Sequence, residues 1–247
     1  MTDALDLPSA GPDPMSWDTA LAAVLGYARG RRPLHFRAPN SHTGRWVQIP
    51  AYGYERFDVR ARSPQPLGEH DILTAEGLHG RLDPAGWAAM KSVLDDVRPL
   101  ADAVLERATG RSLAELSDDE FSVLAEPGTV GACLRQINHL VQQAPGVSAK
   151  HVSAALHHRS PDLVPLLVRT TRWQLLPHVR EGDSGVEAVI HRELVANAAA
   201  FQALQQALTG HDIQLTTLRL HDVLLWLSGS LRLTHAVALG QDDVLGR

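Results

Sequence analysis

Apolar residues recur at helical spacing along most of the chain. Trp17, Leu21, Val24, Leu25 and Ala28 make the first stripe, with Ser16 placed as its N-cap and Gly30 as its stop. Further helices are predicted over 72–78, 84–110, 113–124, 129–143, 148–158, 162–179, 185–209, 216–227 and 230–239. Pro99 kinks or divides the long one, and Ser117 and Glu120 are spaced as a capping box. In 129–143, Val130, Cys133, Leu134, Ile137, Leu140 and Val141 share one face.

Residues 33–66 break this pattern. Pro33, Pro39, Pro50, Pro64 and Pro66, with Gly44 and Gly53, punctuate short runs at 34–36, 45–49 and 55–61 that are rich in aromatic and β-branched residues. They predict two or three short strands. Arginines alternate with aromatics here, a pattern suited either to nucleic acid or to a strand pair packed on the helices; packing is the favoured expectation. Residues 1–15, with Pro8, Pro12 and Pro14, read as a flexible lead-in with little to bury, and 241–247 as a tail. The fold class is therefore mainly α, one domain over 16–240 with a small β element near the N-terminus.

Composition narrows the class. The chain has 247 residues, 44% hydrophobic and 21% charged, with a net charge of −5. That excludes a disordered chain and a protein that coats DNA by bulk charge. Cys133 is the sole cysteine, so no intrachain disulfide is available. No apolar run is long enough for a membrane span, and the N-terminus carries acids and prolines where a secretion signal needs basic and then apolar residues, so a cytoplasmic protein is expected.

Chemistry concentrates at one turn. The segment ending at Gln143 is followed by Ala144-Pro145-Gly146-Val147-Ser148-Ala149-Lys150 and another helix, the outline of a helix-hairpin-helix. A glycine turn leading into a helix N-terminus presents backbone amides and a positive dipole end to a phosphate. An ordinary two-helix corner gives the same outline. Residues 150–180 hold Lys150, Arg159, Arg169, Arg172 and Arg180 against Asp162, which is +4 and leaves −9 for the rest of a −5 chain. Gly146, Val147, Ser148, Lys150, Arg159, Arg169 and Arg172 are thus the expected contacts to a nucleic-acid backbone, with DNA the expected partner. Thirteen histidines form no metal-binding spacing: His157 and His158 diverge by about 100° on a helix, and His221-Asp222 reads as a satisfied buried contact, so neither metal nor cofactor is expected.

The run from Leu156-His157-His158-Arg159 through Pro161 and Pro165 to Arg169 resembles a family of unknown function common in actinobacteria. So does the run Leu218-Arg219-Leu220-His221-Asp222 ending in Trp226. More distantly, the hairpin is similar to the helix-hairpin-helix DNA glycosylases. That resemblance implies a glycosylase-like helical bundle, places Lys150 where bifunctional members keep a Schiff-base nucleophile, and calls for an aspartate at 167 or 168. Leu167 and Val168 stand there instead, so the implied site is incomplete, and binding is the more credible role than efficient base excision. The alternatives are a small-molecule or nucleoside-processing enzyme that reuses such a cavity, and a non-catalytic interaction protein. The oligomeric state is open.

Overall fold

Ser16 caps the first helix as expected, its hydroxyl accepting from the Thr19 amide at 3.2 Å. The helix, α1 (Trp17–Arg29), is one of eleven in a computed structural model that describes residues 4–40, 42–121, 128–183 and 185–244. The others are α2 (Glu69–His79), α3 (Pro84–Ala108), α4 (Asp118–Phe121), α5 (Val130–Gln143), α6 (Ala149–Arg159), α7 (Arg169–Leu175), α8 (Val186–Ala196), α9 (Ala198–Thr209), α10 (Thr217–Gly229) and α11 (Leu233–Val244). Two antiparallel pairs complete the order: β1 (Ala4–Leu5) with β2 (Met15–Ser16), and β3 (Arg31–Phe36) with β4 (Arg45–Pro50). The protein is mainly helical. No single described helix is long and apolar enough to cross a membrane.

One hydrophobic cluster runs from Leu5 to Ala236. Its hub is α10, which touches α1, α7, α8, α9 and α11 and buries Arg219, His221 and Asp222 among its leucines. A helix buried on all sides must find partners for its polar groups. Arg219 donates to both oxygens of Asp58, at 2.6 and 3.2 Å, and to the Tyr27 hydroxyl at 2.8 Å. Tyr27 in turn donates to Asp58 at 2.6 Å. His221 meets Glu193 at 2.7 Å.

Several expectations are corrected. Residues 4–15 are not a loose lead-in: Leu5 and Leu7 are buried, and the backbone is tied to α8 and its C-cap. The Asp6 amide donates to Asn197 Oδ1 and the Asn197 amide returns to the Asp6 carbonyl, both at 2.7 Å. Ser9 gives its amide and hydroxyl to Glu193 at 2.9 and 2.6 Å. The same Asn197 divides the expected 185–209 helix, because its side chain is spent on the N-terminal segment at the α8–α9 junction. The 162–179 helix shrinks to α7 and a 3-10 segment at Leu176–His178: residues 161–164 form turns in which the Leu163 and Val164 amides donate to the Ser160 carbonyl, and beyond Pro165 the Leu166 amide donates to Asp222 and the Leu167 amide to Ser153. Residues 55–61 form turns and a 3-10 segment rather than a third strand. Residues 241–244 continue α11 instead of forming a tail. Pro99 lies inside an uninterrupted α3. The Ser117–Glu120 box forms, while 122–124, expected as helix, lie outside the described residues.

The β3–β4 hairpin departs furthest from expectation. All six β3 residues are exposed, so the ribbon does not lie packed on the helices. Register alone explains why pattern could not settle this: a strand pair with apolar residues on both faces looks the same whether covered or bare.

Candidate functional site

The expected hairpin forms between α5 and α6. α5 buries Val130, Cys133, Leu134, Ile137 and Val141 on one face, and the Ala144 amide closes it on the Leu140 carbonyl. Gly146 has φ +72, a left-handed conformation that glycine adopts without strain. The amides of Gly146, Val147 and Ser148 find no acceptor among the described residues. Ser148 does not cap α6 with its side chain. Its hydroxyl bonds His151 Nδ1 at 2.7 Å, and His151 Nε2 donates to the Gly80 carbonyl at 2.8 Å, which pins the start of α6 to the end of α2.

This turn borders a cleft of about 630 Å³ between α5, α6 and α7. Leu134, Ile137, Leu167 and Trp226 line its interior, and the charged residues around it are Lys150, Arg169 and Arg172. No acidic residue lines it among those described. Arg169 lies 5.7 Å over the Trp173 ring, which is 66% exposed at the rim. Lys150 lines the cleft and is exposed. Arg159 faces elsewhere: its guanidinium is held by the carbonyls of Ser63 and Gln65, so it straps a loop to α6 and is not available to the cleft. Four of the expected side chains, Ser148, Lys150, Arg169 and Arg172, thus come together; Gly146 and Val147 adjoin them, and Arg159 does not.

Behind the cleft lies a second cavity of about 130 Å³. His79, Val168 and Trp226 line both, so the two adjoin across these side chains. Its polar lining includes Tyr27, Arg219 and Asp222. Asp222 Oδ2 accepts the Leu166 amide at 2.9 Å, while Oδ1 has no partner among the described residues. Burial pushes the Asp222 carboxyl up to about 7, partly offset by the Arg219 charge. His157 Nδ1, 3.5 Å from Asp222, is committed to the Val164 carbonyl at 2.6 Å, and burial holds this imidazole well below its usual range, hence neutral. His79 is lowered to about 4, by burial and then by its neighbours His151 and Lys150; its Nε2 is buried without a partner among the described residues. No group of three or more described His, Cys, Asp or Glu residues could hold a metal ion.

The reading of His221-Asp222 as one satisfied contact is therefore half right. His221 meets Glu193 through Nε2 but keeps a buried Nδ1 with no partner among the described residues, whereas Asp222 lines a cavity. The sequence signal for this was spacing. Arg219, Asp222 and Trp226 stand at i, i+3 and i+7, one face of a helix, and that face lines the inner cavity.

Fold and site together define a mainly helical protein with a cation-rimmed cleft at a helical hairpin and a smaller cavity beside it. The chain belongs to a family of unknown function, DUF6308, which matches residues 41–229. No curated protein and no solved structure matches it.

Proposed function

We propose that the cleft binds nucleic acid, gripping the phosphate backbone at the 146–148 turn and at Lys150, Arg169 and Arg172. The observation that carries this is charge segregation: a chain of net −5 lines an apolar-walled cleft of about 630 Å³ with three cations and no described acid. The unbonded turn amides lie beside them, and Trp173 offers an exposed ring to a base. The hairpin's likeness to the helix-hairpin-helix DNA glycosylases supports the same reading. An exposed Lys150 suits a phosphate contact better than a Schiff-base role, which needs a desolvated amine.

Fluorescence anisotropy with labelled DNA tests it. The expected result is binding that weakens steeply with salt, and a loss of about one unit of salt slope for each neutralised contact. Lys150→Glu and Arg169→Glu should each weaken binding about tenfold or more at low salt. No binding at low salt, or unchanged binding by both variants, overturns the reading. Borohydride trapping on abasic DNA, with a competent lyase as control, should yield no adduct.

Asp222 favours a second reading, an enzyme acting on a small anionic heterocycle. A carboxyl that titrates near pH 7 on a cavity floor can exchange a proton with a bound ring. Binding of free nucleotides with no DNA affinity would select it.

A further inference from the structure

The β3–β4 ribbon has no role in the cleft. We propose that it is a nucleic-acid-binding arm, in which Arg32 and Arg45 meet phosphates while Phe36 and Trp46 lie against bases. This extends the nucleic-acid reading of the cleft and is tested separately from it.

β3 is exposed along its whole length, and in β4 Arg45, Trp46 and Gln48 are exposed while Val47, Ile49 and Pro50 are half-buried. Pairing sets Arg32 opposite Ile49, Leu34 opposite Val47 and Phe36 opposite Arg45, so one face carries an apolar stripe with an arginine at either end. The other face carries His35 opposite Trp46, their rings 5.1 Å apart. Trp46 is 70% exposed, Phe36 48% and Leu34 40%. A lone two-stranded ribbon is marginal in water, and large exposed apolar side chains on it call for a partner.

Charge selects the partner. Residues 31–50 contain Arg31, Arg32, Arg37 and Arg45 and no aspartate or glutamate. Arg31 is paired with Glu55 at 2.6 Å, which fixes the root of the ribbon, while Arg32 and Arg45 have no ion pair among the described residues. A second copy would bring arginines against arginines, and the proline and arginine residues on the edges oppose strand addition. A polyanion with planar, stackable faces satisfies both the charge and the aromatics, and a two-stranded ribbon fits the width of a major groove.

Position agrees. The ribbon grows from the end of α1, whose Tyr27 lines the inner cavity. At the same root the chain returns through Tyr52, which packs edge-on against Trp226 at 5.9 Å, and Trp226 lines both cavities. The root of the arm therefore packs against a residue that lines the cleft.

The test uses the full chain, with duplex DNA, single-stranded DNA and heparin as separate probes. Arg32→Gln/Arg45→Gln should weaken binding to all three and lower the duplex salt slope by about 2. Trp46→Ala should weaken binding to DNA about tenfold but leave heparin, which has no bases, unchanged. Both substitutions are at exposed positions, so thermal unfolding should match the parent. If the parent binds DNA, cleft variants lose it and arm variants keep it, the arm is overturned and the cleft stands. If arm variants lose binding and cleft variants keep it, the cleft reading fails and the arm stands. A dimer that Trp46→Ala dissociates, with DNA affinity unchanged, overturns the arm in favour of a second copy. Absence of any DNA binding overturns both.

Discussion

Gly26→Ala should destabilise the protein by about 3 kcal/mol or more. The sign is the informative part, because alanine in place of glycine inside a helix normally gains about 1 kcal/mol. Here α1 and α11 meet backbone to backbone. A Cβ on Gly26 would stand 1.8 Å from the Ala236 carbonyl oxygen and 2.9 Å from the Gly240 nitrogen, and a Cβ on Gly240 would stand 1.9 Å from the Ala22 carbonyl oxygen. These are main-chain atoms, so no side chain can swing aside and the helices must separate. Urea unfolding should show a large fall in midpoint for Gly26→Ala and for Gly240→Ala. The double variant should cost less than the sum, since the helices need to part only once. Gly11→Ala, with nothing near its Cβ, is the control, expected within about 0.5 kcal/mol of the parent. Equal midpoints for Gly26→Ala and Gly11→Ala would show that the helices do not meet as closely as described.

The second large effect is a pH-dependent gain from Asp222→Asn. The carboxyl titrates near 7 in the folded protein, against about 3.9 in an unfolded chain. A raised folded value means that the native state holds the proton more tightly. The stability it contributes is complete below about pH 4 and is lost as pH rises through about 7. The span of about 3 units corresponds to an upper bound of about 4 kcal/mol. Asparagine retains an acceptor for the Leu166 amide and has no proton to lose. The variant should match the parent near pH 4, gain on it as pH rises, and level off above about 7. Taking the difference between the two proteins removes the pH dependence common to both. A flat difference across pH 4–8 would remove Asp222 as a strained, protonatable group. A stabilising substitution in a cavity-facing residue is what a site held for function predicts.

Local features were legible in the chain and long-range ones were not. The Ser16 cap, the Ser117–Glu120 box, the buried face of α5 and the turn at Gly146 each depend on residues within a helical turn or two, and periodicity reports those contacts directly. The buried polar pairs do not work that way. Asp58 and Arg219 lie 161 positions apart, and Ser9 and Glu193 lie 184 apart. No local pattern marks such pairs. The missing acid at 167 and 168 shows the same limit. The carboxylate nearest that segment's backbone comes from α10, where Asp222 accepts the Leu166 amide. Arg159 failed as a phosphate contact for a related reason, because its charge is consumed by carbonyls of a loop almost a hundred residues earlier.

The stretch that carries the family likeness, 41–229, starts after α1 and β3 and stops before α11. Yet Tyr27 of α1 completes the hydrogen bonding of the buried Arg219–Asp58 pair, and Ser9 completes that of Glu193. Cutting the chain at the likeness boundaries would strip partners from buried charges, bare one side of α10 and remove half of the ribbon. Such a fragment should be recovered insoluble, or with helical circular dichroism but no cooperative melt. For anyone designing an expression clone of this protein or its relatives, the segment by which the family is recognised is shorter than the segment that folds.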